Sequence, residues 1–229
     1  MDGMIDIEAA RALVSDAALW PRVRGFLWNF ASQIHPSHLS SLPLPAVPSL
    51  PAVSALQSSS RVSRWILAEL SVDPCFHPFP SDDLSRLLLL DSDTLVAVAR
   101  WLGALASTEA LRRVTRGPDV AALKSSLPGI YPDVFSYTAY FAKTALPPSA
   151  DPAPGAVQSH GFSLLFSFLS GLPSPLLRRL RLKLPADALP SNDQTVAPSN
   201  DPTVKRSNDQ TIKLLLKLHF PEAFSLCCS

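Results

Sequence analysis

Proline constrains this chain more than any other residue. It occurs 23 times in 229 residues, about twice the usual share, and it interrupts segments whose apolar residues otherwise repeat at helical spacing. A proline ring removes a backbone donor and clashes with the preceding turn, so a helix stops before it or starts on it. The expected fold is therefore all-α: a single irregular globular domain of short, proline-punctuated helices, with little or no β structure. An apolar content of 47% is ordinary and allows a sizeable core.

The apolar pattern places the elements. Ile5, Ala9, Ala12, Leu13 and Leu19 recur at helical spacing, with Asp6 and Glu8 in the first turn, where the helix dipole favours negative charge. Pro21 opens a second helix through Phe26, Leu27 and Phe30 that stops before Pro36. Pro43, Pro45, Pro48 and Pro51 alternate with Ser, Leu, Val and Ala, which suits an extended strap lying on a surface. Helix resumes over residues 60–70, residues 72–80 read as a loop, and Ser81 is expected to cap a short helix.

A longer helix starts at Ser92 or Asp93 and carries Leu95, Val98, Ala99, Leu102, Leu105 and Ala106 on one stripe. Ser107 or Thr108 is expected to cap the next helix, which ends in Arg112, Arg113 and Arg116 before Gly117-Pro118. Aromatic residues pattern residues 131–144, residues 146–156 read as a linker, and residues 157–170 form an apolar helix. Leu180, Leu182 and Leu184 then alternate with Arg179, Arg181 and Lys183. That period of two favours a short extended piece closing on Pro185 over the fraying end of a helix.

One internal repeat stands out. Ser191-Asn192-Asp193-Gln194-Thr195-Val196 recurs as Ser199-Asn200-Asp201-Pro202-Thr203-Val204 and as Ser207-Asn208-Asp209-Gln210-Thr211-Ile212. A period of eight is too short for a solenoid unit, and so polar a segment buries no core. The expected organisation is a helical body over residues 1–185, with a strap at 43–51 and a linker at 146–156. A flexible insert over 186–208 and a C-terminal helix over 209–229, docked on the body, complete it.

Charge and cysteine content narrow the function classes. Twenty Lys and Arg against 19 Asp and Glu give a net charge of +1, which leaves no footprint for bulk nucleic-acid binding. The acidic start (Asp2, Asp6, Glu8) lacks the positive region of a secretory signal. No apolar run reaches the roughly 18 residues of a membrane span, and the best run, over 162–172, reads as a buried helix. Cys75, Cys227 and Cys228 form an odd set without paired spacing, which points to a reducing compartment and a cytoplasmic protein.

Candidate sites are few. His35, His38, Cys75 and His77 are residue types that zinc accepts, but Pro36 sits between the histidines and no Cys-x-x-Cys completes the set. The histidines read instead as turn and packing residues, with no metal. No Gly-x-Ser-x-Gly occurs, glycine totals eight, and Cys227-Cys228 lies at a terminus that frays, so no catalytic residue and no cofactor site is assigned. The densest cations are Arg178, Arg179, Arg181 and Lys183, which read as a solvated face or as contacts to an acidic protein, with anionic lipid behind. Trp101-Leu102-Gly103 reads as a core helix with a close-packing glycine. Glu109 stands at the spacing of helical ion pairs with Arg112 and Arg113.

Four signatures in order resemble the SctK (YscK) family of the type III secretion sorting platform. They are His35-Pro36 following Phe30, and Leu102-Gly103 followed by Glu109-Ala110-Leu111-Arg112-Arg113. An aromatic helix from Phe162 leads to the third, Arg179-Leu180-Arg181-Leu182-Lys183-Leu184-Pro185, and Lys217, Pro221 and Phe224 make the fourth. His35, Pro36, Leu102, Gly103, Glu109, Pro185 and Pro221 are the structural positions of these motifs. The repeat and the strap depart from the family pattern.

The resemblance implies a cytoplasmic, non-enzymatic adaptor at the inner-membrane base of the secretion apparatus. Such a protein links the cytoplasmic domain of the ring protein SctD to the SctQ pods, and through them to SctL and the ATPase SctN. Membrane contact would come only through the apparatus, and no nucleic acid is implied. Arg112, Arg113, Arg116, Arg178, Arg179, Arg181 and Lys183 are the expected interface charges. The competing readings are a helical nucleic-acid-binding regulator using residues 108–116, and a secreted effector, which the early helix pattern disfavours.

Overall fold

A computed structural model describes residue 17 and residues 19–40, 59–72, 83–141, 146–149, 151–188 and 202–228. Every regular element among them is helical. The chain runs α1 (Leu19–Trp28), a 3-10 turn (Phe30–Gln33), α2 (Pro36–Leu39), α3 (Ser60–Glu69) and a second 3-10 turn (Ser85–Leu89). It continues through α4 (Ser92–Ala106), α5 (Thr108–Arg112), α6 (Gly117–Ser126), α7 (Ile130–Phe141) and α8 (Pro154–Phe168). It closes with α9 (Ser174–Lys183), a 3-10 turn (Ala186–Ala188), α10 (Pro202–His219) and α11 (Pro221–Cys227). The all-α expectation holds, and proline starts helices as the sequence predicts. A proline occupies the first turn of α2, α6, α8, α9 and α11, where its missing N–H has no intrahelical partner to lose.

These elements sort into two compact units, which the chain enters alternately. The first comprises residues up to Ser92 and Leu172–Ala186; the second comprises Asp93–Gly171 and residues from Asp187 to Cys228. In the first, α1 buries Leu19, Val23, Phe26 and Leu27, the i, i+4, i+7, i+8 stripe of a helix with one inner face. Phe30 continues the stripe into the 3-10 turn and meets Phe26 edge to face, with ring centroids 5.4 Å apart.

In the second unit, α4 buries the stripe the sequence predicted: Leu95, Val98, Ala99, Leu102 and Leu105. It crosses α8 at two glycines. A Cβ on Gly103 would stand 2.0 Å from the Val157 carbonyl oxygen, and one on Gly161 would stand 1.9 Å from that of Ala99. Each glycine is thus where the other helix's backbone lies, and no side chain fits at either position.

Four local expectations are corrected. Residues 174–183 form a helix and not an extended piece. Its buried residues are Leu176, Arg179, Leu180, Leu182 and Lys183; in the i, i+3, i+4, i+7 stripe of Leu176, Arg179, Leu180 and Lys183 two of the four are cations, so the helical stripe is hidden when only apolar residues are counted. Neither Ser107 nor Thr108 caps α5 with its side chain. The Thr108 hydroxyl instead donates back to the carbonyls of Leu105 (2.7 Å) and Ala104 (3.1 Å), closing the end of α4.

Gly117-Pro118 opens α6 in addition to following the arginines; α6 buries Leu123 alone and so carries no stripe to read. The last long helix begins at Pro202, inside the second copy of the repeat, and not at Asp209. The segment read as a linker is held where it is described: the Ser149 N–H donates to the Ala106 carbonyl at 3.2 Å, and His160 Nε2 to that of Pro147 at 3.0 Å. The strap at 43–51, the Ser81 cap, Cys75, His77 and nearly all of the first predicted helix lie outside the described residues.

Candidate functional site

The third signature divides into an inner and an outer half. Arg178 and Arg181 are exposed on α9, whereas Arg179 and Lys183 are 0% and 2% exposed. The expectation that all four cations face an outside partner is corrected for these two, because a guanidinium and an ammonium sealed inside the first unit have no surface to offer. Their charge is used within the fold. Arg179 Nη1 donates to the carbonyls of Phe26 (2.9 Å) and Leu27 (3.1 Å), which belong to the last turn of α1. Its guanidinium lies 5.8 Å and 5.6 Å from the ring centroids of Phe26 and Phe30.

Lys183, one turn on, donates from Nζ to the carbonyls of Leu88 and Leu90, where the second 3-10 turn ends. Each cation therefore satisfies carbonyls that a helix end leaves without partners, in the place where helix dipoles favour positive charge. Burial still lowers the Lys183 pKa from 10.5 to about 8, partly opposed by the Asp91 carboxylate and assisted by the Arg22 charge.

The first signature meets the third. His35 is the N-cap of α2, with Nδ1 accepting the Ser37 N–H at 3.2 Å. The His35 N–H donates to the Leu182 carbonyl at 2.8 Å, His38 Nε2 to that of Leu184 at 2.8 Å, and the Ser92 hydroxyl to that of Lys183 at 2.7 Å. Three successive carbonyls at the end of α9 are thus each given a donor. Pro36 starts α2 and Pro185 stops α9 just past this junction. By these bonds His35 closes the start of α2 and His38 ties it to the end of α9. Among the described residues, no group of His, Cys, Asp and Glu is placed to hold a metal ion.

The second signature meets the fourth. Trp101, on α4, is 6% exposed. Its ring stacks on His219 at the end of α10, with centroids 3.7 Å apart and planes inclined by 25°. Tyr137 closes on the same imidazole edge to face at 4.6 Å. Burial lowers the His219 pKa, opposed by the Asp133 carboxylate. Leu102 and Gly103 are buried on α4, as the core reading requires, and Pro221 starts α11 directly after this junction.

The remaining candidate arginines are on the surface. Arg112, Arg113 and Arg116 are exposed at the end of α5 and the start of α6. Glu109 pairs with Arg112 at 2.9 Å, both side chains in solvent, a contact worth a few tenths of a kcal/mol. This cluster stands in the second unit, while Arg178 and Arg181 stand in the first. The sequence reading singled out none of the exposed aromatic residues. Trp28 and Trp65 keep 48% and 37% of their surfaces in water; the signal was a tryptophan beside arginine at four-residue spacing, which is equally the mark of a core residue.

Among the described residues, no helix is long and apolar enough to cross a membrane. No curated protein and no solved structure matches the chain. The family model for YOP proteins translocation protein K (YscK) matches residues 25–226. That span takes in all four signatures, which pair first with third in one unit and second with fourth in the other. The chain belongs to the YscK family of type III secretion proteins.

Proposed function

We propose that this chain is a non-enzymatic, cytoplasmic adaptor of the type III secretion sorting platform, peripheral at the inner-membrane base. It links the cytoplasmic domain of the ring protein SctD to the SctQ pods, and through them to SctL and the ATPase SctN. The observation that carries this reading is the pairing of signatures. Family residues are spent on building two separate helical units, and each unit leaves arginines on its surface: Arg112, Arg113 and Arg116 on one, Arg178 and Arg181 on the other. Two units that each carry exposed arginines suit a protein with two partners. Exposed arginine forks favour carboxylate partners and set the rate of encounter. Subunits that exchange need interfaces of modest area with polar rims.

The test is an affinity pull-down of the tagged protein from its native cytoplasm and membranes, read by mass spectrometry. Recovery of both the ring protein and the pod protein is expected. Reversal of charge at Arg112, Arg113 and Arg116 should reduce recovery of one, and reversal at Arg178 and Arg181 recovery of the other. Unchanged recovery of both proteins by the two variants would remove the arginines from the interface. Recovery of nucleic acid in place of either protein would overturn the adaptor reading.

A further inference from the structure

Three of the four tryptophans lie in two helices of the first unit: Trp20 and Trp28 in α1, Trp65 in α3. The inner face of α1 is filled by Leu19, Val23, Phe26 and Leu27, so Trp20, Arg24 and Trp28, spaced by four, follow a different face. Arg24 and Trp28 are exposed, and the rings of Trp20 and Trp28 meet edge to face with centroids 5.9 Å apart. The pattern recurs on α3. Ser63, Ile66 and Leu67 are buried, while Arg61, Arg64 and Trp65 are exposed. Both helices pack against the 3-10 turn Phe30–Gln33.

Water is a poor neighbour for this surface. A tryptophan left half in solvent forgoes the burial that its large ring would gain in the core, and clustered exposed aromatics mark contact sites. Four of the five charges around them are positive. On α1 and α3 the exposed cations are Arg22, Arg24, Arg61 and Arg64, and the exposed acid is Glu69, in a chain whose net charge is +1. The cations are all arginine. Its planar fork binds carboxylates in pairs and stacks on aromatic rings, which lysine does less well. Tryptophan with arginine is also the composition enriched where interfaces hold most of their energy. Edge-to-face packing holds Trp20 and Trp28 together along the helix as a fixed platform.

We propose that the outer faces of α1 and α3 form a docking surface for an acidic protein partner, with Trp28 and Trp65 as its apolar anchors and Arg24, Arg61 and Arg64 as its carboxylate contacts. The proposal rests on the adaptor reading and gives that adaptor an aromatic face on its first unit.

The experiment uses the full-length protein with the purified cytoplasmic domain of the ring protein and the purified pod protein. Binding is measured by calorimetry at low and high salt. Trp28→Ala and, separately, Arg24→Glu are compared with Arg112→Glu. Arg24 is exposed, so its variant keeps the fold even if loss of the Trp20 contact disturbs that of Trp28→Ala; circular dichroism checks both. The expected result is a loss of about tenfold or more in affinity for one of the two proteins in both first-unit variants. Arg24→Glu should also flatten the salt dependence, and Arg112→Glu should leave that interaction unchanged.

Wild-type binding to both proteins that the first-unit variants retain in full overturns the docking surface and leaves the adaptor reading standing. Failure of the wild type to bind either protein overturns both. A single-stranded oligonucleotide, or vesicles of phosphatidylglycerol in phosphatidylcholine, held by the wild type and released by Arg24→Glu would also overturn the protein partner, by assigning the surface to another macromolecule.

Discussion

Arg112-Arg113 and Arg178-Arg179 are the same dipeptide, one at the end and one in the middle of a short helix, and the fold treats them differently. Both arginines of the first pair are in water, and one of them shares an exposed ion pair with Glu109. In the second pair Arg178 is exposed, while Arg179 is sealed against Phe26 and Phe30 and tied to two carbonyls of α1. The difference lies in what each helix meets. The end of α9 arrives where α1 and a 3-10 turn both finish, and their terminal carbonyls have no intrahelical donors. A buried cation there replaces water as the donor. No such carbonyls are offered to Arg112. Density of positive charge therefore says little about location; the register of a cation within its helix and the supply of helix ends beside it say more.

The largest effect expected from this contrast is on folding. Arg179→Ala removes the donor to two buried carbonyls and leaves a cavity between phenylalanines, which should cost about 3–5 kcal/mol in urea unfolding. Arg178→Ala, its exposed neighbour, should cost less than about 0.5 kcal/mol. Equal costs would show that the two positions do not differ as described.

Lys183 should make stability depend on pH in an unusual window. Its folded value of about 8 lies below its ordinary 10.5. Between those values the unfolded chain holds a proton that the folded chain has released, so stability should rise as pH climbs from about 8 to about 10.5. The gain is at most about 3 kcal/mol. A neutral amine keeps two N–H groups, so both carbonyl contacts survive deprotonation. Lys183→Met should abolish the rise relative to wild type; a rise of equal size in the variant would assign it to other groups.

Two smaller effects sharpen the comparison. His38→Ala withdraws the donor to the Leu184 carbonyl and should cost about 1 kcal/mol in the same unfolding assay. Arg112→Ala should cost about 0.3 kcal/mol, and less in high salt. If Arg112→Ala proved the more damaging of the two, the surface cluster would be part of the structural frame and not an outward face.

The sequence makes some of this legible and hides the rest for identifiable reasons. The stripe of α4 is apolar at every buried position, so its helix, its core face and the close packing at Gly103 could all be read. The stripe of α9 is half cationic, and leucines at 180, 182 and 184 supply a false period of two. Gly117-Pro118 carries both a stop and a start signal, and the start leaves no apolar stripe behind it to settle the matter. The exposed tryptophans are hidden differently. Trp28 and Trp65 sit one residue from buried Leu27 and Ile66, and only the rotation of each helix about its axis decides which neighbour faces inward. That rotation is set by tertiary contacts. The signatures themselves were readable as a list, but not as pairs, because what joins His38 to Leu184 and Trp101 to His219 is distance in space.

The placement of α10 has a consequence for how this chain tolerates change in length. The third copy of the repeat lies wholly within the helix, and the far end of that helix is clamped by the ring stack on His219. Eight residues of α-helix advance about 12 Å and turn the helix a little beyond two full revolutions, by roughly 80°. The third copy ends in Thr211 and Ile212, both fully buried, so a copy gained or lost within the helix ahead of them would leave the docked part, from Thr211 to His219, where it is.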